Sequence, residues 1–159
     1  MDLPKRKSMR LPNYNYGSNS AYFLTICTKN KACTLADITP QGHVLTSAGK
    51  IADKYICSIS TAYPCVSVDK YVIMPNHIHI ILSVSSESGV PGSSRPTETV
   101  PKIVAAFKRF TNKDTAQKLW QDGYYDHIIR DENDYLIRWN YIDTNPARWH
   151  DDDYYSPPH

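Results

Sequence analysis

Residues 71–82 decide the fold, and their sequence is Tyr71-Val72-Ile73-Met74-Pro75-Asn76-His77-Ile78-His79-Ile80-Ile81-Leu82. Two apolar runs are separated by Pro75-Asn76, which predicts a tight connection between two β-strands. Because successive side chains of a strand alternate between faces, His77 and His79 project to the same side. On an α-helix they would diverge by about 200° and could not share a ligand. The β-branched neighbours favour the strand, so two neutral nitrogen ligands are expected side by side.

The flanking segments extend this hairpin into an α+β pattern. Strands are predicted at residues 21–27, 66–74, 77–84 and 123–130, and helices at residues 46–62, 97–112 and 131–144. The order strand, helix, strand, strand, helix, strand predicts a ferredoxin-like split β-α-β core, with an antiparallel sheet and helices on one face. The third helix is appended to that core, and a short edge strand is expected at residues 33–38.

Periodic apolar residues predict which faces of the first two helices are buried. In the first helix they recur every four positions, at Ile51, Tyr55 and Ile59. In the second helix they follow the spacing i, i+3, i+4 and i+7, at Val100, Ile103, Val104 and Phe107. Both patterns are typical of a helix that lies against a sheet.

The chain has the size and composition of one globular domain. It contains 159 residues, of which 41% are hydrophobic, and its net charge of +2 does not by itself indicate nucleic acid. We expect a basic N-terminal arm at residues 1–18, one domain at residues 19–150 and an acidic tail at residues 151–159. The four cysteines form no C-x-x-C pair and no segment resembles a signal peptide or a membrane span, so reduced cysteines and a cytoplasmic location are expected.

A pair of histidines alone is only moderate evidence for a metal site. A third candidate ligand elsewhere in the chain would strengthen that interpretation. His127 on the fourth strand and Asn145 after the third helix are the available candidates. Tyr141 lies one helical turn before Asn145, and residues at i and i+4 can reach the same site. A tyrosine hydroxyl, an amide oxygen and two imidazoles indicate a nucleophile beside a metal ion. Taken alone, Tyr141 would instead be one of twelve structural tyrosines.

Five stretches of the chain resemble, in the same order, the small tyrosine transposases of the IS200-like group and, more fully, their relatives the REP-associated tyrosine transposases. The central stretch is Met74-Pro75-Asn76-His77-Ile78-His79, which resembles the His-hydrophobe-His motif of these enzymes. The others are residues 6–10 through 22–28, Phe107-Lys108, residues 120–130 and Tyr141-Ile142-Asp143-Thr144-Asn145-Pro146. The resemblance extends from about residue 6 to Trp149.

This resemblance implies a metal-dependent endonuclease and strand transferase of the HUH class, acting on single-stranded, hairpin or repeat DNA as a monomer or a homodimer. His77 and His79 match the metal-binding pair of the family, and Asn145 matches the side chain that completes the site for Mg²⁺ or Mn²⁺. Tyr141 matches the nucleophile, whose attack would leave a 5′-phosphotyrosine link and a free 3′-hydroxyl.

Basic and aromatic side chains are the candidates for DNA contacts, partly by analogy with that family. They are Lys5, Arg6, Lys7, Arg10, Tyr14, Lys108 and Arg109. Two other functions remain open: a catalytically silent module that holds structured DNA, and an unrelated metal hydrolase. The hydrolase is disfavoured because no Asp-His follows the His-x-His pair, as metallo-β-lactamase-type sites need. If Tyr141 is not the nucleophile, Tyr125 or Tyr124 is the next candidate.

Overall fold

The computed structural model describes residues 19–85 and 96–157. Six strands and three long helices follow one another along the chain: β1 (Asn19–Cys27), β2 (Ala36–Thr39), β3 (Gly42–Leu45), α1 (Ser47–Ala62), β4 (Val66–Ile73), β5 (His77–Ser85), α2 (Pro96–Thr115), β6 (Tyr125–Ile129) and α3 (Glu132–Thr144). Short 3-10 turns occupy Lys29–Lys31 and Pro146–Asp151. The predicted arm at residues 1–18 lies outside the described residues.

The main sheet has the strand order β4-β5-β1-β6, and each neighbouring pair is antiparallel. This order and the two helices between the strands confirm the predicted ferredoxin-like core. β5 is a central strand, and its register with β1 places His77 opposite Cys27 and His79 opposite Thr25. The two histidines are therefore held by hydrogen-bonded backbone on both sides.

Helices α1 and α2 cover one face of the sheet. They pack on apolar side chains that alternate along the strands, among them Leu24, Ile26, Ile78 and Ile80. The four residues predicted to face inward from α2 are all buried. In α1 the prediction holds for Ile59, which is buried, and for Tyr55, which is partly buried against the core, but it was wrong at Ile51.

The buried residues of α1 are Gly49, Ala52, Ile56 and Ile59. Spacing of three and four residues keeps side chains on one face of a helix, whereas strict spacing of four drifts around it. The small residues mark a close approach, since a Cβ at Gly49 would lie 2.0 Å from the carbonyl oxygen of Leu35. A pattern based on large apolar residues therefore does not fully identify the buried face of α1.

The edge strand expected at residues 33–38 does not join the main sheet. β2 instead pairs with β3 in a separate two-stranded hairpin. The chain before β2 is held across the end of the main sheet, because the Leu35 amide donates to the carbonyl oxygen of Pro75 at 3.0 Å. The turn between the strands ends at Gly42, whose φ of 139° suits glycine.

Helix α3 lies on the opposite face of the sheet from α1 and α2. Its N-terminus is capped by Asp131, which accepts a hydrogen bond from the Asp134 amide at 2.8 Å. Tyr135 and Ile142 are buried in a second core with Phe23 and Ile81. Because residues 77, 79 and 81 share a face of β5, the appended helix covers the histidine side of the sheet.

Two bonds join α3 to β4. The Tyr135 hydroxyl donates to Asp69 at 2.8 Å, and the Lys70 ammonium lies 2.9 Å from the Asp143 carboxylate. Asp69 falls where the register of β4 shifts, in a β-bulge between Val68 and Lys70. Bulges re-aim side chains, and this one turns a carboxylate toward the helix.

The four cysteines are free thiols. Within the part of the chain that is described, no helix is both long and apolar enough to cross a membrane.

Candidate active site

His77 and His79 form a buried pair of imidazoles on β5. Their side chains are 0% and 2% exposed, and the ring centroids lie 4.6 Å apart. Alternation along the strand brings them to one face, as the sequence predicted. The ring of Phe23 stacks on His79 with a centroid distance of 4.9 Å and fixes that imidazole from the neighbouring strand.

Hydrogen bonding determines which nitrogen of His77 carries the proton. Its Nδ1 lies 2.8 Å from the side-chain oxygen of Asn76, while the Asn76 amide nitrogen donates to the carbonyl oxygen of Tyr154 at 2.8 Å. With the amide oriented in this way, its oxygen can only accept, so Nδ1 of His77 donates. Nε2 is then an unprotonated nitrogen, and it is buried without a hydrogen-bond partner.

His79 is held in a comparable way. Its Nδ1 shares a 2.9 Å hydrogen bond with the hydroxyl of Thr25, which is also buried. Nε2 of His79 has no hydrogen-bond partner. A bond from one ring nitrogen to a neighbouring residue is the usual way in which a metal-binding histidine is oriented.

Asn145 supplies a third buried polar atom without a partner. It caps the C-terminus of α3 in helical geometry and is 4% exposed. Its side-chain nitrogen donates to Asp152 at 2.8 Å, which leaves the side-chain oxygen unpaired. A buried polar atom without a hydrogen bond is costly and therefore needs an explanation.

Electrostatics keep both histidines neutral. Burial lowers the pKa of His77 and of His79 to about 3, and the nearby Asn145 amide opposes this shift at His77. The 3.6 Å approach of Nε2 of His77 to Asp152 is therefore not an ion pair at neutral pH. Neutral imidazole is the form that binds a metal ion.

The chemistry of these three atoms fits a divalent cation. Nε2 of His77 and the side-chain oxygen of Asn145 are acceptor atoms without a donor, and Nε2 of His79 is a third when the Thr25 hydroxyl accepts the Nδ1 proton. Across residues 19–85 and 96–157, no three His, Cys, Asp or Glu side chains gather as a metal site. A third protein ligand for such an ion would therefore be the oxygen of Asn145.

Tyr141 lies beside this group on the preceding turn of α3. Its ring centroid is 5.2 Å from that of His79, and its side chain is 38% exposed. Solvent or a polymer substrate can therefore reach the phenol, while the neighbouring imidazoles are enclosed. The structure brings Tyr141, Asn145 and the histidine pair together as the sequence predicted.

Charged side chains on both sides of Tyr141 act on its hydroxyl. Burial raises the pKa of Tyr141 above its ordinary value, and the carboxylates of Asp152 and Asp153 raise it further. The guanidinium groups of Arg138 and Arg148 act in the opposite direction. A pocket of about 160 Å³ between Tyr141 and Arg148 gives access to this region. The phenol is therefore protonated at neutral pH, with two cations available to stabilise a developing phenolate.

The sequence did not predict the part that residues 152–154 play. The Asp152 side chain is fully buried against Asn145, and the Tyr154 ring lies 4.6 Å from that of His77. Burial raises the pKa of Tyr154 to about 12. The acidic residues indicated a solvated tail, but Trp149, 5% exposed, anchors the chain and returns it over the histidines. Trp149 is the one feature of the sequence that could have indicated that this segment packs against the domain.

Other predicted residues lie elsewhere. His127, the other proposed third ligand, bonds Asp134 at 2.7 Å. Lys108 donates to the carbonyl oxygens of Gln121 and Gly123, so two of its three protons brace a loop. Arg109 lies over the Phe110 ring on α2, on the far face of the sheet. Residues 5–14, with the predicted basic contacts and Tyr14, are outside the described ranges.

Comparisons with known proteins give relatives along most of the chain. A protein of Haemophilus influenzae that is itself uncharacterised is 37% identical, with 94% of this chain and 93% of that protein covered. A REP-associated tyrosine transposase of Escherichia coli is 26% identical and covers 84% of this chain and 70% of its own length. No protein-family model matches the chain.

Solved structures with a similar fold include one that is bound to DNA. It is a REP-associated tyrosine transposase bound to a REP hairpin, with a TM-score of 0.57 and 21% sequence identity. The match covers 87% of this chain and 73% of that protein.

Proposed function

We propose that the chain, a member of the family of REP-associated tyrosine transposases, cleaves and rejoins single-stranded DNA beside a hairpin. The observation that supports the chemistry is the site itself: three buried polar atoms without hydrogen-bond partners lie next to a tyrosine that solvent reaches. The related structure is bound to a REP hairpin, and we propose hairpin DNA as the substrate here as well.

His77, His79 and Asn145 would hold the metal ion. A bound Mg²⁺ or Mn²⁺ would withdraw charge from a phosphate and stabilise a departing oxygen. The mixed nitrogen and oxygen donors suit Mn²⁺ at least as well as Mg²⁺, which prefers oxygen. Asn76 and Thr25 orient the two imidazoles, and Asp152 orients the amide.

Tyr141 would be the nucleophile. Its hydroxyl oxygen bonds to phosphorus, the bond between phosphorus and the 3′ oxygen breaks, and a 5′-phosphotyrosine ester forms. The phenol proton leaves to solvent, which reaches this exposed side chain, and the departing oxygen takes up a proton to become a 3′-hydroxyl. The ester retains the energy of the broken bond, so a second 3′-hydroxyl can attack it and rejoin the strand without ATP.

Arg138 and Arg148 would assist at the same oxygen. Both lie close enough to lower the pKa of Tyr141, so both favour the phenolate that leaves when the strand is rejoined. Guanidinium groups also bind phosphate oxygens well. Arg138 is held at 3.3 Å by Asp134, which in turn bonds His127. His127 thus supports an arginine beside the nucleophile and lies outside the metal site.

The proposal is tested with a labelled hairpin oligonucleotide that has a single-stranded flank. In the presence of Mn²⁺ we expect a protein–DNA adduct that survives SDS, and Tyr141→Phe should abolish it. An equal yield of adduct from Tyr141→Phe would contradict the assignment of the nucleophile. Hairpin binding without an adduct in any of Mg²⁺, Mn²⁺ or Co²⁺ would favour the catalytically silent module instead.

A further inference from the structure

A groove of about 590 Å³ lies just beyond the end of β1. One wall is the 3-10 turn Lys29–Lys31, and the other is the segment at residues 118–122. We call this space the basic groove. None of its side chains has a part in the cleavage chemistry proposed above.

Positive charge dominates the basic groove. Lys29, Lys31 and Lys118 are all exposed, and the opposing carboxylate at its rim is that of Asp122. Asp122 is fully exposed and lies 4.0 Å from the Lys118 ammonium, a distance at which water screens most of the attraction. Among the described residues, neither Lys29 nor Lys31 pairs with a carboxylate. The groove therefore has an excess of cations.

The backbone is strained in the first wall and again just before the second wall. Within the described ranges, the non-glycine residues with positive φ are Asn30 at 58°, Lys31 at 56° and Ala116 at 57°. Two of them form the first wall, and the third lies two residues before Lys118. Such conformations cost free energy and cluster at ligand-binding and catalytic sites. The strain is an observation independent of the charges.

Hydrogen bonds hold the two walls together. The Lys29 amide donates to the carbonyl oxygen of Leu119 at 2.8 Å, and the Gln121 amide donates to that of Cys27 at 3.0 Å. The Lys108 ammonium adds a bond of 2.9 Å to the carbonyl oxygen of Gln121. The groove is therefore formed before any ligand arrives, which reduces the entropy lost on binding.

The first wall is also joined to the histidine pair. The Thr28 amide donates to the backbone oxygen of Asn76 at 3.0 Å, and the side-chain oxygen of Asn76 accepts from His77. Lys29 follows Thr28 directly in the chain. Two hydrogen bonds thus separate the groove wall from a ligand of the candidate metal site.

We propose that the basic groove binds the phosphodiester backbone of the single-stranded DNA that flanks the cleavage position; this assignment rests on the proposed DNA-processing function. Lysine ammonium groups on flexible stems suit phosphates as point charges without geometric selection. Trp120 is 2% exposed, so its ring is not available for base stacking. Binding in the groove is therefore independent of base sequence and serves to position the strand.

The test compares two triple variants with the same change in charge. The groove variant replaces Lys29, Lys31 and Lys118 by Gln. The control variant replaces Lys50, Lys54 and Lys113 by Gln, on helices α1 and α2 over the opposite face of the sheet. Fluorescence anisotropy without divalent metal gives the Kd for a hairpin with a single-stranded flank and for the same hairpin with a blunt end, at several salt concentrations.

We expect the groove variant to bind the flanked hairpin about tenfold more weakly or worse than the wild type. The slope of log K against log salt should fall by about 2, since each phosphate contact to a single strand contributes about 0.7. The control variant should keep the wild-type slope. Both variants should retain the wild-type melting temperature, because the replaced side chains are exposed.

Three results would overturn the assignment. Wild-type affinity and slope in the groove variant would remove the groove from DNA binding and leave the proposed function intact. An equal loss on the blunt hairpin would contradict the single-stranded flank as ligand. If the wild-type protein bound neither oligonucleotide, the proposed function would fail and the groove assignment with it.

A second measurement uses the wild-type protein alone. Lysines are acetylated with and without the flanked hairpin, and modification is quantified by peptide mass spectrometry. Protection of Lys29, Lys31 and Lys118, with Lys50 and Lys54 modified equally in both samples, supports the groove. Equal modification of all five would contradict it.

Discussion

The side-chain nitrogen of Asn145 donates to the carboxylate of Asp152 at 2.8 Å, and this bond decides which end of the amide is left unpaired. The oxygen of Asn145 is buried without a hydrogen-bond partner, as are Nε2 of His77 and Nε2 of His79. Asp152 therefore orients the amide, in the way that carboxylates next to metal sites orient ligands.

Replacing Asp152 should weaken metal binding although Asp152 is not among the proposed ligands. In Asp152→Ala the amide of Asn145 is free to rotate, and loss of such an orienting partner typically costs about 10–100-fold in metal affinity. Titration calorimetry with Mn²⁺ measures the effect. Asp153→Ala, the exposed neighbour, is the control and should bind Mn²⁺ as the wild type does. Equal affinities of the two variants would contradict this role of Asp152.

Thr25 should matter for the same reason at His79. In Thr25→Val the shape is kept but the hydroxyl that bonds Nδ1 is lost, which leaves a buried polar atom unpaired. We expect a loss of about 1–3 kcal/mol in the free energy of unfolding and a drop in Mn²⁺ affinity. Urea denaturation and calorimetry report the two effects. Thr25→Ser keeps the hydroxyl and should retain most of the stability and most of the Mn²⁺ affinity. If the serine variant were as impaired as the valine variant, the hydrogen bond to His79 would not be the cause.

The anchor of α3 on β4 should affect catalysis without affecting the metal site. Tyr135→Phe removes the hydrogen bond to Asp69 and should lower the free energy of unfolding by about 1–2 kcal/mol. Adduct formation should slow because α3 positions Tyr141, whereas Mn²⁺ affinity should change little. Tyr63→Phe is a suitable control, since no hydrogen bond of the Tyr63 hydroxyl is found within the described ranges. If Tyr63→Phe destabilised the protein as much, the anchor would have no special role.

Arg148 should contribute to the chemistry at Tyr141 through its charge. Arg148→Gln removes a cation that lowers the pKa of the phenol, so adduct formation should slow by about tenfold, equivalent to about 1.4 kcal/mol in the barrier. Arg148→Lys keeps the charge, and its rate of adduct formation should lie between those of the wild type and of Arg148→Gln. Arg109→Gln removes the same charge from the far face of the sheet and should react at the wild-type rate. Unchanged kinetics in Arg148→Gln would exclude Arg148 from this step.

The elements of the core could be predicted from sequence because their signals are local. The alternation in β5 and the i, i+3, i+4, i+7 pattern of α2 each depend on a few adjacent residues, and both were confirmed. The prediction for the buried face of α1 was incomplete because Gly49 and Ala52, which are buried there, are small and contribute little to an apolar pattern.

The surroundings of the site could not be predicted in the same way. Asp152 and Tyr154 reach the histidines through tertiary packing of Trp149, about seventy residues from β5, and no spacing rule connects them. Thr25 became recognisable only with the β1–β5 register, which sets it opposite His79. The sequence predicts a turn at Asn76, but its second role in fixing the His77 tautomer depends on the carbonyl oxygen of Tyr154.

Two tyrosines lie against the histidine pair, and they give the central claim its most direct test. The adduct formed with a labelled flanked hairpin and Mn²⁺ is digested with trypsin and nuclease, and the residue that carries the nucleotide is identified by mass spectrometry. We predict that the modified residue is Tyr141 and that Tyr154→Phe still forms the adduct. A nucleotide on Tyr154, or on Tyr124 or Tyr125, would contradict the account.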